Sequence, residues 1–161
     1  AASASAPDIS FDGDANTGVF SPTADEVGIS TGGSERLRVD SSGDVGIGVT
    51  SPAATLDLSG NQVTNVVAMG ALDVDCSAGN YFTKTINGNS TFTFSNVPAS
   101  RSFAFVLELT HTSGTVTWPS SVKFPADTAP TLTAGKTHLF VFETNDGGSR
   151  FRGAALVDYV N

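Results

Sequence analysis

The residues best suited to hold a metal ion lie near the start of the chain, in the segment Asp12–Asn16 (Asp-Gly-Asp-Ala-Asn). Oxygen-bearing side chains at every second position match the spacing of a calcium loop, because Ca²⁺ takes several hard oxygen ligands. The segment then departs from that pattern, since Thr17 and Thr23 stand where a calcium loop has glycine and glutamate. We therefore expect Asp12, Asp14 and Asn16 to form a polar turn, and we expect no metal ion or other cofactor.

Nucleophilic catalysis has few candidate residues. The chain has two histidines, His111 and His138, and one thiol, Cys76. A catalytic triad needs a base, a nucleophile and an orienting acid in fixed geometry, and His111 precedes Ser113 without any sequence typical of a nucleophile elbow. We expect both histidines at surface or hairpin-end positions and Cys76 as a small buried side chain. The sequence therefore predicts a protein that is not an enzyme.

A candidate binding loop, Pro119–Pro130, follows the only tryptophan, Trp118. Long loops on rigid scaffolds often bind ligands, and an exposed indole can stack against a sugar ring. Lys123 and Asp127 are the only charged residues of the loop. Trp118, Lys123 and Asp127 are therefore the candidate receptor contacts. The alternative, which we favour, is that Trp118 fills the core or a subunit interface and that the two charges are simply solvated.

Composition excludes several classes of protein. The 161 residues include 16 acidic and 8 basic side chains, which gives a net charge of −8. Such an acidic chain has no surplus of cations to displace counterions from phosphate, so we expect no nucleic-acid partner. No apolar run approaches the ~20 residues that cross a bilayer, so we expect no membrane insertion. One cysteine and two histidines supply neither a disulfide framework nor a zinc finger.

Charge and aromatic content both change near residue 60. Residues 1–60 have nine acidic and two basic side chains, a net charge of −7, and two aromatic residues. Residues 61–161 have seven acidic and six basic side chains, a net charge of −1, and the other twelve aromatic residues. This shift predicts two regions, 1–60 and 61–161.

The first region is predicted to form short strands without a sufficient core of its own. Two aromatic residues bury too little surface to offset a chain entropy of roughly 1–2 kcal/mol per ordered residue. Period-2 alternation of apolar residues nevertheless indicates strands, separated by turns rich in Gly, Ser and Asp. Other copies of the chain are the simplest source of the missing surface. We expect them to pack on an apolar edge formed by Val45, Ile47, Val49, Leu56 and Leu58.

The second region is predicted to be an antiparallel β-sandwich or jelly-roll-like domain. Its prolines fall between strands, and three turn sequences predict hairpins: Asn87–Asn89, Ser113–Gly114 and Asn145–Gly148. Gln62–Met69 can form a short helix or a further strand. The predicted strands are Ala71–Cys76, Tyr81–Ile86, Ser90–Phe94, Ser102–His111, Thr115–Trp118, Thr137–Thr144 and Arg150–Leu156.

Several of these segments resemble bacteriophage tail-fibre proteins, particularly those of marine phages. Residues 9–22, ISFDGDANTGVFSP, are similar to that family's pattern I-S-F-x-G-D-x-x-T-G-I-Y-S-P, and the similarity continues through Gly43–Gly48 and Thr50–Leu56. The second region resembles the terminal domain of similar fibres in Thr91–Pro98 and Val116–Pro119. The resemblance implies an elongated homotrimer with an intertwined N-terminal stem and a C-terminal knob that contacts the host surface.

Together, residues and resemblance predict an all-β virion structural protein: a trimeric tail fibre assembled in the host bacterial cytoplasm. Its N-terminal side is expected to join other virion proteins, and its knob to bind a glycan or protein of the host cell surface. Threefold symmetry comes from the resemblance alone, whereas the sequence itself indicates only that copies associate. Two alternatives remain, a capsid decoration or head-fibre protein and a lectin-like carbohydrate-binding module.

Overall fold

The computed structural model describes residues 2–160, so Ala1 and Asn161, the ends of the two predicted regions, lie outside the described residues. The described chain is built of strands, with one 3₁₀ turn at Pro125–Asp127, which confirms the all-β prediction. It divides into two compact units between Val63 and Thr64, three residues after the predicted boundary. Within residues 2–160, no helix is long and apolar enough to span a membrane.

The N-terminal unit is one six-stranded sheet whose strands follow each other in sequence order. Neighbouring strands are antiparallel from β1 to β5, and β6 runs parallel to β5. Between β3 and β4, Gly32 and Gly33 have φ of 57° and 74°, as the tight two-residue turn of a hairpin requires. The strands are β1 (Ile9–Phe11), β2 (Asp14–Phe20), β3 (Val27–Thr31), β4 (Ser34–Val39), β5 (Val45–Ile47) and β6 (Leu56–Leu58).

One face of this sheet is covered by the unit's own chain. Phe20 is buried there, and a Cβ added to Gly28 would lie 2.7 Å from its ring. A Cβ on Gly46 would lie 3.0 Å from the ring of Pro52 and 2.4 Å from the carbonyl oxygen of Val49. Glycine at these strand positions therefore lets the covering segments lie directly on the backbone of the sheet.

The C-terminal unit contains a second six-stranded sheet and two two-stranded pairs. The large sheet has the order β14-β16-β15-β12-β9-β7, and the small pairs are β8–β11 and β10–β13. The strands are β7 (Val66–Ala68), β8 (Asp73–Asp75), β9 (Tyr81–Asn87), β10 (Ser90–Thr91), β11 (Thr93–Ser95), β12 (Phe103–Ser113), β13 (Val116–Thr117), β14 (Val122–Lys123), β15 (Lys136–Thr144) and β16 (Phe151–Tyr159).

The prediction of an antiparallel domain is wrong for most of its strand pairs. Among the described strand pairs of this unit, only β12–β15 and β15–β16 are antiparallel, whereas the other five are parallel. Two predicted hairpins, Asn87–Asn89 and Ser113–Gly114, are also absent. At both turns the chain leaves the large sheet and enters the β10–β13 pair.

These two turns instead pack against each other. A Cβ on Gly114, which has φ of 92°, would overlap the backbone of Gly88 at 2.1 Å. The side-chain oxygen of Asn89 accepts hydrogen bonds from the backbone N–H and the hydroxyl of Thr115, both at 3.0 Å. The third predicted hairpin, at Asn145–Gly148, is confirmed between β15 and β16.

The core of the C-terminal unit lies between the inner face of the large sheet and the two small strand pairs. Phe105 is at its centre, with ring centroids 5.1 Å from Phe94, 5.2 Å from Phe142 and 5.6 Å from Phe82. Such close edge and tilted ring contacts stabilise beyond the area that they bury. The strict alternation of β12 and β15 sends their large apolar residues to this face.

Candidate binding surfaces

The first candidate surface is the uncovered face of the N-terminal sheet. Directly paired residues in a sheet project to the same face, with Cβ atoms ~4.5–5.5 Å apart in antiparallel pairs. The strand register therefore aligns one row of apolar residues across all six strands and a second row across four. We call these ten residues the apolar sheet face: Ile9, Val19, Ile29, Leu37, Ile47 and Leu58 in the first row, and Val27, Val39, Val45 and Leu56 in the second.

This face is exposed, and the one ionisable side chain beside it among the described contacts is Arg36, whose Nε donates to the hydroxyl of Thr31 at 2.9 Å. Seven of its ten residues have exposed fractions between 37% and 69%, and Leu37, Val39 and Val45 are half-buried. The ion pairs of this unit use the opposite alternation of β4, where Arg38 contacts Glu35 at 2.6 Å and Glu26 at 3.0 Å. Six strands ~4.8 Å apart and two rows ~7 Å apart give an apolar patch on the order of 300 Å². A patch of about that size is comparable to the largest apolar patch of a typical monomer, which is often functional.

Four of the five residues predicted for self-association lie on this face. Val45, Ile47, Leu56 and Leu58 belong to its two rows, whereas Val49 follows the end of β5 and has no place in the strand register. The other six residues of the face were not among the predicted contacts. Their alternation is visible in the sequence, but only the register shows that they continue the same two rows.

Trp118 packs against the core of the C-terminal unit and is half-buried. Its indole stacks on Phe92 with centroids 5.2 Å apart and planes 21° apart, and it lies 4.7 Å from Phe140. Because one ring face is occupied by Phe92, Trp118 does not offer an open stacking platform of the predicted kind. Its remaining exposed surface lies between two depressions.

The two depressions adjoin each other at Trp118, Val116 and Ala129. The first has a volume of about 270 Å³ and is also lined by His111 and Leu132. The second has a volume of about 300 Å³, and its lining includes Pro119, Phe124 and Asp127. The structure thus brings two of the three candidate receptor contacts, Trp118 and Asp127, to one depression.

Asp127 is held at the rim of its depression by a strained turn. Ala126 and Asp127 have left-handed φ values of 55° and 52°, a conformation that is uncommon for residues other than glycine. The Asp127 N–H donates to the carbonyl of Phe124 at 3.0 Å, which fixes the turn. Lys123, the third candidate, contacts the Asp127 carboxylate at 3.8 Å from the exposed side of the loop. An exposed pair at this distance contributes little stability.

The prediction that both histidines lie at surface or hairpin-end positions is wrong. His111 on β12 and His138 on β15 are 4% and 0% exposed, and their ring centroids are 5.8 Å apart. Each continues the inward alternation of its strand, after Leu109 and before Phe140 respectively. The period-2 pattern of these strands was the signal that indicated burial.

Backbone groups hold His138 in its neutral form. Its Nδ1 accepts from the N–H of Asp158 at 3.2 Å, and its Nε2 donates to the carbonyl of Thr133 at 3.2 Å. His111 Nε2 contacts the carbonyl of Gly114 at 2.9 Å, whereas its buried Nδ1 has no partner among the described residues. In the described contacts, the hydrogen-bond partners of both imidazoles are backbone groups, and no hydroxyl or thiol is bonded to either ring.

Acid is expected to destabilise the C-terminal unit through His138. Burial lowers the pKa of His138, although the hydrogen bond to Thr133 and the carboxylate of Asp158 act in the opposite direction. The unfolded chain then binds the proton more tightly than the folded one. The contribution of His138 to stability is therefore complete above about pH 6.5 and is lost as the pH falls toward the lower folded pKa.

Thermal unfolding followed by Trp118 fluorescence should show a midpoint that falls as the pH is lowered from 7 to 5. His138→Gln should make the thermal midpoint less dependent on pH. A variant whose midpoint falls as steeply with pH as that of the wild type would contradict the role of His138.

The described residues offer no group of three or more His, Cys, Asp or Glu side chains placed to hold a metal ion. Asp14 and Asn16 are both in β2, and Asp12 lies in the turn that precedes it. Extended backbone spreads these side chains along a strand instead of closing them around a point. Cys76 is buried, and burial raises its pKa to about 11, so its thiol stays protonated at neutral pH.

Comparisons with protein-family models, with curated protein sequences and with solved structures find no significant match. Any functional interpretation therefore depends on the two surfaces described above and on the resemblance of the sequence segments.

Proposed function

We propose that the chain is a homo-oligomeric structural and adhesive protein of a bacteriophage particle, a trimeric tail fibre that binds the host cell surface without catalysis. The observation that carries the proposal is the apolar sheet face, ten aliphatic residues aligned across six strands, seven of which are exposed in the described part of the chain. The resemblance to tail fibres supplies the phage particle and the threefold symmetry. The N-terminal side of the chain is the proposed attachment point to other virion proteins.

The N-terminal unit buries few large apolar side chains and exposes many, which favours association of copies through the apolar sheet face. Phe20 is the one large apolar side chain that is fully buried among the described residues of that unit, whereas seven large aliphatic residues of the face remain exposed. Burying about 300 Å² of apolar surface per copy contributes at most about 7 kcal/mol. That gain has to exceed the repulsion between copies whose residues 1–60 each carry a net charge of −7.

The adhesive surface of the proposal is the pair of depressions beside Trp118. An aromatic edge, a carboxylate at the rim and backbone groups of an irregular loop are suited to a sugar or a short polar segment of a surface protein. Each depression is small, so one contact is weak. Several copies in one particle would raise the overall affinity through effective concentration.

Trp118→Phe is expected to reduce binding of the protein to host cells about tenfold, because tryptophan is typical of binding hot spots. Phenylalanine preserves the stacking on Phe92, so the fold should remain intact. Asp127→Asn should weaken binding as well, whereas Asp25→Asn, at an exposed position of the other unit, should leave it unchanged. Retention of the labelled protein by host cells measures the effect. Full retention by both Trp118→Phe and Asp127→Asn would exclude this site.

The two alternatives differ in location and assembly. A capsid decoration or head-fibre protein would use the same two surfaces, and labelling of the particle under the electron microscope separates it from a tail fibre. A lectin-like module is favoured by the depressions beside Trp118 alone and needs no apolar sheet face. A monomeric protein that retains sugar binding would therefore favour the module.

A further inference from the structure

We propose that protonation of His138 switches the C-terminal end of β16 from one backbone arrangement to another, so that this end of the strand responds to acid. The inference goes beyond the proposed function and does not depend on it. Its basis is the imidazole Nδ1 of His138, which faces two different groups of Asp158. The backbone N–H of Asp158 donates to Nδ1 at 3.2 Å, and the Asp158 carboxylate lies 3.8 Å from the same atom.

Protonation reverses the direction in which Nδ1 can form a hydrogen bond. In the neutral ring Nδ1 is an acceptor, because Nε2 carries the proton and donates to the carbonyl of Thr133 at 3.2 Å. In the imidazolium both ring nitrogens are donors, so the Nδ1–H group would face the N–H group of Asp158. That hydrogen bond is therefore lost on protonation. The Asp158 carboxylate then becomes the acceptor that matches a charged ring.

The backbone at Asp158 is suited to such a change. Its φ of 66° is left-handed, which is uncommon and costly for a residue other than glycine. The register shifts between Thr137 and Leu139, so that β16 has one residue more than β15 at this point and forms a bulge. A return of Asp158 to extended backbone relieves the strain and withdraws its N–H from Nδ1. The relaxed backbone and the charged ring thus favour the same arrangement.

The surroundings of His138 make movement necessary once the ring is charged. Two titratable side chains face it from the neighbouring strands: Asp158 on β16, and His111 on β12 with its ring centroid 5.8 Å away. The segment before β15 contributes the uncharged carbonyl of Thr133. Because His138 is 0% exposed, water cannot reach the new Nδ1–H group in the present arrangement, and a buried unpaired donor is costly. The change is therefore expected below about pH 6.5, where an imidazole begins to bind its proton.

Amide hydrogen exchange of the full chain, resolved by NMR, tests this local change. Between pH 7 and pH 5, the protection factor of the Asp158 amide should fall at least tenfold relative to that of Phe142, a buried residue of β15. Protection factors are ratios to the intrinsic exchange rate, so the direct effect of pH on exchange cancels. His138→Gln should abolish the fall, because glutamine does not titrate. His111→Gln, at the neighbouring buried histidine, is the matched control and should retain it.

Asp158→Asn tests the exchange of partners and keeps both histidines. Asparagine tolerates left-handed backbone and retains the N–H, but it lacks the negative charge that attracts the imidazolium. Its loss of protection should therefore begin at a lower pH than that of the wild type. Loss at the wild-type pH would show that the carboxylate is not the acceptor, and the switch would be wrong as proposed.

Three results with the wild type and the glutamine variant would also overturn the inference. The first is a protection factor at Asp158 that does not change with pH relative to Phe142. The second is an equal loss of protection at both positions, because the whole unit would then be unfolding. The third is the same fall in folded His138→Gln as in the wild type, because another group would then be the one that titrates.

Discussion

Ile47→Asp is expected to separate the copies of the chain while leaving each copy folded. Ile47 is 46% exposed and lies between Leu37 and Leu58 in the longer row of the apolar sheet face. A carboxylate there stays hydrated in a single copy but loses water when a second copy covers it, at a cost of several kcal/mol. We expect the dissociation constant to rise 10²- to 10³-fold, which corresponds to about 3–4 kcal/mol.

Sedimentation velocity over a concentration series measures that change. Ser42→Asp adds the same charge at an exposed turn of the same unit and should leave the dissociation constant within about twofold, because surface charges at a distance are screened. The interpretation of the apolar sheet face would be contradicted if Ile47→Asp sedimented like the wild type throughout the series.

Phe105→Ala is expected to cause the largest loss of stability in the C-terminal unit. Phe105 is 2% exposed, and its ring contacts Phe82, Phe94 and Phe142, so its removal leaves a cavity that aromatic neighbours fill poorly. Substitutions of this kind cost about 3–5 kcal/mol. For a unit of this size, the thermal midpoint should fall by at least about 12 °C.

Unfolding monitored by Trp118 fluorescence reports on this unit, since the chain has no other tryptophan. Tyr159→Ala removes an aromatic ring of the same unit at a side chain that is 47% exposed and should shift the midpoint by no more than about 4 °C. Equal shifts for the two variants would contradict the assignment of Phe105 to the centre of the core.

Period-2 alternation predicted most of the strands correctly but not their partners. β9, β12 and β15 lie close to the bounds expected from the sequence, because their alternating Phe, Leu and Val residues have one consistent inner face. Asn87-Gly88-Asn89 correctly predicted a turn, but the hairpin expected from that turn is absent. A turn sequence specifies that the chain changes direction there, and it does not specify whether the next strand joins the same sheet.

The sequence also predicted some residues of the candidate sites correctly and missed or misplaced others. Trp118 and Asp127 meet at one depression because the turn at Ala126 brings the loop back towards the indole, and no sequence pattern encodes that return. His111 and His138 were misplaced because histidine is usually partly exposed, although the strand periodicity indicated the core. Only four of the ten residues of the apolar sheet face were predicted, since its residues are up to about 50 positions apart in sequence and become neighbours through strand register alone.

The central claim is that this chain functions as an assembly of copies that cover each other's apolar surfaces. Sedimentation equilibrium of the wild-type protein at low micromolar concentration tests it most directly. The proposed trimer predicts a single species with three times the 16.4 kDa mass of the chain. A folded species with the mass of one chain at that concentration would contradict the claim.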